Sequence, residues 1–242
     1  MRTAYREELD SFAHDLIVMC DAVSTIMTKA SRALLTAELA PAEAAITLSD
    51  NLEELRAGCE ARAVRLLALE NPLAKDLRQV ISSIYIVEDL HRMGKLAKHI
   101  AGSARRNHPD PVIPEGYEGY FEELTRLVTE ITNRTREVLV DPQTDVALEL
   151  TTDDDAVDDI NLHLLNQVTN KQWKHSTRSA VDVALLSRFY ERYADHCVNV
   201  AARIVYLITG MSPDEYLQAR EDDRSRAEWE DRFAALERQL KR

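Results

Sequence analysis

Residues 189–201 read FYERYADHCVNVA. The apolar positions are spaced as in a buried helix, yet Glu191, Arg192, Asp195, His196 and Asn199 crowd into the same stretch. Glu191 and Asp195 are four apart, so on a helix their carboxylates stand over one another on one face. That face continues through Ala184, Ser187, Val198 and Ala202, all small or apolar. Two like charges in such surroundings require something positive between them: an arginine, solvent or a bound cation. Arg188 and Arg192 are the candidate arginines. Carboxylate oxygens favour hard divalent or trivalent cations, and helix bundles build such sites from acids on facing helices. His196 lies beside the stripe and reads as a hydrogen-bonding histidine rather than a ligand.

Outward from this stretch the pattern stays helical. The helix that carries it spans about 177–209, with Gly210 as C-cap and Pro213 beyond. A first helix covers roughly 3–38, with Leu9, Phe12, Leu16, Met19, Val23, Ile26, Ala30 and Ala33 alternating at spacings of three and four, the seam of a bundled helix. Pro41 opens a second helix, which carries Leu48, Leu52, Leu55 and Cys59 towards Leu69. Pro72 marks a break after Glu70 and Asn71, and a third helix runs from about Leu73 to Arg106. NHPDPVIPEGYEG (107–119) is the strongest loop signal in the chain. A fourth helix follows over about 118–140, a fifth over about 144–173. In the tail Trp229, Phe233, Leu236 and Leu240 suggest a short amphipathic helix, docked on its own body or offered to a partner.

Composition sets the class. The 242 residues hold only 6 Gly and 7 Pro against 45% hydrophobic residues, which suits helices and leaves few turns for a sheet. A net charge of −12 disfavours non-specific nucleic-acid binding. Cys20, Cys59 and Cys197 fall on apolar helical faces and read as reduced core thiols of a cytoplasmic protein. The opening MRTAYREELDSF lacks the apolar core of a signal peptide, and no window is long and apolar enough to enter a membrane directly. No Gly-rich phosphate loop, GxSxG, HExxH or paired CxxC is present, so no enzyme chemistry is signalled.

Three long helices, a Pro-rich loop and three more helices suggest duplication. At an offset of about 100 residues the third helix aligns with the sixth: Leu90 meets Tyr190, Arg92 meets Arg192, Ala97 meets Cys197 and Ala101 meets Ala201. At an offset near 105, Asp50 and Glu53 of the second helix meet Asp155 and Asp158 of the fifth. The units are 1–107, a linker 108–117, 118–212 and a charged tail 213–242. The fifth helix contributes ELTTDDDAVDDI (149–160), with two more pairs four apart, Asp154/Asp158 and Asp155/Asp159. These acids either face the Glu191/Asp195 stripe or cap a helix start.

ERYADHCVNVAARIVYLITG (191–210), NPLAKDLRQVISSIYIVEDLHRMG (71–94) and DDDAVDDI (153–160) together resemble motifs of the PhoU family, the accessory proteins of bacterial phosphate uptake, and the loop and N-terminus are most similar to actinobacterial members. The resemblance covers about 1–212. It implies an all-α fold of two tandem three-helix bundles related by an internal repeat, with a short amphipathic tail outside it. It implies a non-enzymatic cytoplasmic regulator, a homodimer that links the phosphate ABC transporter to a sensor histidine kinase and represses the starvation response when phosphate is plentiful. It also implies one acidic metal set per repeat, for Fe, Zn, Mn or Mg. The second set is intact: Glu191 and Asp195, opposite Asp155 and Asp158 or Asp154 and Asp159. The first is degenerate, with His91 and Lys95 where the family has acids, and Ala202 replaces a further family glutamate. One metal site at most is expected, in the second repeat. The competing readings are a carboxylate-bridged metal enzyme on a helical bundle and a metal-free helical adaptor.

Overall fold

The computed structural model describes residues 2–69 and 74–240, all helix and connecting turns. The first three helices, α1 (Arg2–Thr36), α2 (Leu39–Leu69) and α3 (Ala74–Asn107), form an up-down-up bundle. The eight apolar positions picked out along α1 are all buried. Between α2 and α3 a ladder of charge pairs, Glu43–Arg105, Asp50–Lys98, Glu53–Lys95 and Arg56–Glu88, fixes an antiparallel register. Pro41 sits inside the first turn of α2 rather than at its start, where its missing N–H leaves no intrahelical bond unmade. Leu55 is exposed, a departure from its expected place on the α2 core stripe. The break expected at Glu70–Pro72, and the start of α3 at Leu73, lie outside the described residues.

The second half uses α4 (Glu118–Val140), α5 (Thr144–Leu150), α6 (Asp155–Thr169) and α7 (Thr177–Thr209). The single fifth helix expected over about 144–173 is not formed: the segment is two helices separated by a turn at 151–154. The turn is chemical in origin. Thr151 and Thr152 hydroxyls donate to the carbonyls of Leu148 and Glu149 at 2.6 and 3.1 Å, and the backbone N–H groups of residues 151–153 bond three residues back instead of four. Threonines that bond nearby carbonyls compete with helix continuation. At α7, Ser176 Oγ accepts from Ser179 N at 3.1 Å, and Gly210, at φ 79°, closes the helix in the left-handed conformation.

The halves meet along α3 and α7, which run antiparallel. Tyr85 lies under the Arg203 guanidinium, Asp89 bonds His196, and His99 stacks on Phe189. Each helix's first turn reaches the other's last: Arg78 lies against Gly210, and Arg178 donates to Asn107 Oδ1 at 3.0 Å. Tyr190 OH, fully buried, bridges Ser31 of α1 at 2.8 Å and Thr125 of α4 at 3.2 Å. One hydrophobic core runs through both halves. The 108–117 loop is anchored to it by buried Val112 and Ile113, while His108 Nδ1 bonds Ala37 O at 2.9 Å.

The tail helix α8 (Pro213–Leu240) is 28 residues long, not short. Tyr216 packs on the core, and Arg220 pairs with Asp145 at 2.7 Å. Trp229 and Phe233 stack on each other at 5.3 Å but stay 62% and 50% exposed, so intramolecular docking does not cover them. By helical phase they lie on the side of α8 away from Tyr216.

Two glycines distinguish packing from propensity. A methyl at Gly94 would overlap Leu52 Cδ2 in the core, whereas one at Gly58 meets nothing within 4 Å. Gly94→Ala should therefore destabilise the protein by about 1–3 kcal/mol in chemical denaturation. Gly58→Ala, on exposed helix, should stabilise it by about 0.5–1 kcal/mol. Equal effects at both positions would contradict the packing described.

Candidate metal centre

The acids of the second half are sorted by their neighbours. Asp153 and Glu149 both lie on Arg134 of α4, which removes them from any site. Asp155 and Asp159 are exposed and stand outside the cluster, so the expected pairing of Asp155 with the α7 acids is not formed. Asp158 does face α7. One carboxylate oxygen from each of Asp158, Glu191 and Asp195 lies within 4.8 Å of the others. Asp154 is half-buried beside them; it occupies the N-cap position of α6, but its side chain makes no capping bond. Side-chain capping thus does not account for Asp154, while Asp155 and Asp158 lie in the first turn of α6, where the helix dipole favours acids.

The electrostatics are those of a strained anionic cluster. Burial pushes the Glu191 carboxyl above its usual range, and Asp195 adds to this, while Arg188 works against it. The Asp158 carboxyl is raised by partial shielding and by Asp195, although the residue as a whole is exposed. Asp154 is raised by burial first, then by Asp158 and Asp195. Glu191 is only 8% exposed. Its Oε1 contacts the Arg188 guanidinium, but its Oε2 is buried with no hydrogen-bond partner. A buried, ionisable oxygen without a partner is costly. Oxygens within 4.8 Å of one another are close enough for a single ion to reach all three with hard-cation–oxygen bonds of ~2.0–2.6 Å. The donor set is thus of a kind that could take one hard cation between α6 and α7.

The same three positions meet in the first repeat, with different chemistry. Glu53, His91 and Lys95 are the equivalents of Asp158, Glu191 and Asp195 at the offsets that align the halves. Glu53 Oε1 receives Lys95 Nζ at 2.7 Å and contacts His91 Nε2 at 3.0 Å. These contacts, Lys95 first, hold the Glu53 carboxyl down at about 2. Lys98 pairs with Asp50 on the next turn. The ammonium of Lys95 stands where a cation would be needed, so the first set is closed by its own lysine. Glu53 went unrecognised as part of a site in the sequence, although its alignment with Asp158 carried the signal. His196, as expected, is a hydrogen-bonding residue, on Asp89 at 2.9 Å.

A family model described as the PhoU domain matches residues 16–104 and again 121–204. The chain belongs to the PhoU family. The two PhoU matches correspond to the two helical repeats, and α8 lies outside both. The chain is 44% identical over 213 residues to "Phosphate-specific transport system accessory protein PhoU homolog 2" of Mycobacterium tuberculosis, covering 88% of this chain and 100% of that protein. It is 42% identical over 215 residues to homolog 1 of Mycobacterium leprae, covering 89% and 97%. The fold is similar to a crystal structure of PhoU from Pseudomonas aeruginosa, with TM-score 0.80, 24% identity, 86% of this chain and 100% of that one. A phosphate transport system regulatory protein PhoU from Streptococcus pneumoniae is similar at TM-score 0.78, with 23% identity over 86% and 98%. All-α architecture with an internal repeat is thus established for this chain.

The raised carboxyls predict a pH-dependent penalty. Their ionisation disfavours the folded state, an effect absent below the ordinary carboxylate range of about 4 and full above the raised values. Asp195→Asn removes the charge that both Asp158 and Glu191 feel. In chelator-treated buffer at pH 7–8 the variant should melt about 2–4 °C higher, equivalent to ~1 kcal/mol. The gap should close as the pH falls towards 4. A variant that melts lower at neutral pH would show that Asp195 is held by favourable contacts instead.

Proposed function

We propose that this protein is an accessory regulator of phosphate uptake that acts as a cytoplasmic, non-enzymatic adaptor. Its close relatives are named as accessory proteins of the phosphate-specific transport system, at 44% and 42% identity over nearly their whole length, and that likeness carries the reading. In this account it links the phosphate ABC transporter to a sensor histidine kinase and holds the kinase in its repressing state when phosphate is plentiful. It works as a homodimer through contacts of its long helical faces. No described helix is long and apolar enough to cross a membrane, so membrane attachment would come through the transporter. The net charge of −12 favours basic partner surfaces.

Asp158, Glu191 and Asp195 would hold one multivalent cation. Three carboxylates favour hard Mg²⁺, Mn²⁺ or Fe³⁺ over Zn²⁺, which prefers nitrogen and sulfur. When bound, the ion supplies charge neutralisation and a cross-link. Asp158 would supply a carboxylate from α6, and Glu191, with its unpartnered Oε2, and Asp195 would supply two from α7. A carboxylate-bridged enzyme would call for a second acidic set of comparable strength. The equivalent positions carry His91 and Lys95, which favours the adaptor.

Two measurements test this reading. Tagged protein recovered from phosphate-replete cells should bring down components of the phosphate transporter and a histidine kinase; recovery of neither contradicts the adaptor role. Metal analysis after dialysis against Mn²⁺ should give one equivalent per chain, lost in Glu191→Ala/Asp195→Ala. Equal metal content in the two proteins sinks the site assignment.

A further inference from the structure

The cation assignment makes three acids into ligands, and it leaves Arg188 to be explained. Arg188 lies three residues before Glu191 on α7, and its Nη1 contacts Glu191 Oε1. The side chain is half exposed, so its guanidinium can leave the cluster for solvent without disturbing the core. Its charge reaches Asp158 as well, opposing the repulsion from Asp195 and Asp155. One guanidinium nevertheless cannot satisfy three carboxylates. Glu191 Oε2 keeps no partner with Arg188 in place.

We propose that Arg188 is a displaceable counterion: it neutralises Glu191 in the metal-free protein, competes with the incoming cation, and so sets the affinity of the site. The inference rests on reading Asp158, Glu191 and Asp195 as a cation site. The physical argument is one of charge. A guanidinium beside the ligands repels any cation that enters, and it must surrender a charge-assisted contact for Glu191 to offer both oxygens. A divalent ion gains over it by carrying twice the charge and by reaching all three carboxylates.

The first repeat shows the alternative arrangement. At the 100-residue offset the position of Arg188 is taken by Glu88, which pairs with Arg56 at 2.7 Å and leaves the neighbouring acidic set alone. The neutralising cation there is Lys95, which stands at a ligand position itself and contacts Glu53 directly. A cation in a ligand position cannot step aside without removing that position from the set. A cation beside the set, as Arg188 is, can. The two repeats thus carry a fixed and a removable counterion. Loading the second site would send Arg188 outward beside exposed Arg192, adding a free cation to the α7 surface.

The test is a calorimetric Mn²⁺ titration of the full chain at pH 8 after chelator treatment, with wild type, Arg188→Ala, Arg188→Lys and Asp195→Asn. Arg188→Ala should bind Mn²⁺ about tenfold more tightly than wild type, Arg188→Lys close to wild type, and Asp195→Asn far more weakly. Circular dichroism should show all four equally folded, since Arg188 is exposed, Asp195 only partly buried, and neither belongs to the apolar core. Wild-type binding with no tightening in Arg188→Ala overturns the counterion proposal alone. Absence of Mn²⁺ binding by both wild type and Arg188→Ala overturns the proposal together with the cation reading on which it rests.

Discussion

How closely α3 and α7 approach governs the rest of the molecule. The two helices run antiparallel, and the contacts Tyr85–Arg203, Asp89–His196 and His99–Phe189 recur along them at helical intervals. Gly94, near the middle of α3, leaves room for Leu52 of α2 in the core beneath this seam. Because each helix is also the last member of its own bundle, joining them joins the bundles into one core. Tyr190 OH, buried near the seam, is matched by Ser31 and Thr125. The outer edges of α3 and α7 are then free to face α2 and α6, and each edge builds an acidic set there.

Those two sets share geometry and differ in charge. In the first half, Lys95 has been placed among the ligand positions, and Glu53 is held ionised by it and His91. In the second, three carboxylates remain, and burial with mutual repulsion raises Glu191 and Asp158. A duplicated scaffold has thus kept one edge as a closed ion pair and the other as an open anionic cluster. For an adaptor this separates two jobs. On the proposed reading, the first edge would give a helix contact independent of ions, and the second one whose strength would follow the available cation.

The sequence made much of this legible because helices advertise themselves locally. The spacing of three and four along α1 located a seam that is buried throughout, and the repeat offsets brought Glu53 onto Asp158 and Lys95 onto Asp195. It could not sort six acids between 149 and 160, because that depends on where the helix breaks. The break lies at Thr151 and Thr152, whose hydroxyls bond to the preceding turn, and it rotates Asp158 towards α7 while sending Asp153 to Arg134. Leu55 looked like core because its spacing was right, but the stripe on α2 narrows where the bundle leaves it exposed. The contact of Arg188 with Glu191 follows from their spacing of three on one helix, but the stranded Oε2 behind it is a tertiary fact that no spacing encodes.

The central claim is that one repeat accepts a multivalent cation and the other, built alike, does not. Anomalous diffraction from crystals grown with Mn²⁺ tests it most directly. The account predicts one strong peak per chain, bounded by Asp158, Glu191 and Asp195, with the Arg188 side chain turned away from Glu191. A peak beside Glu53, His91 and Lys95, or no peak between α6 and α7, would contradict it.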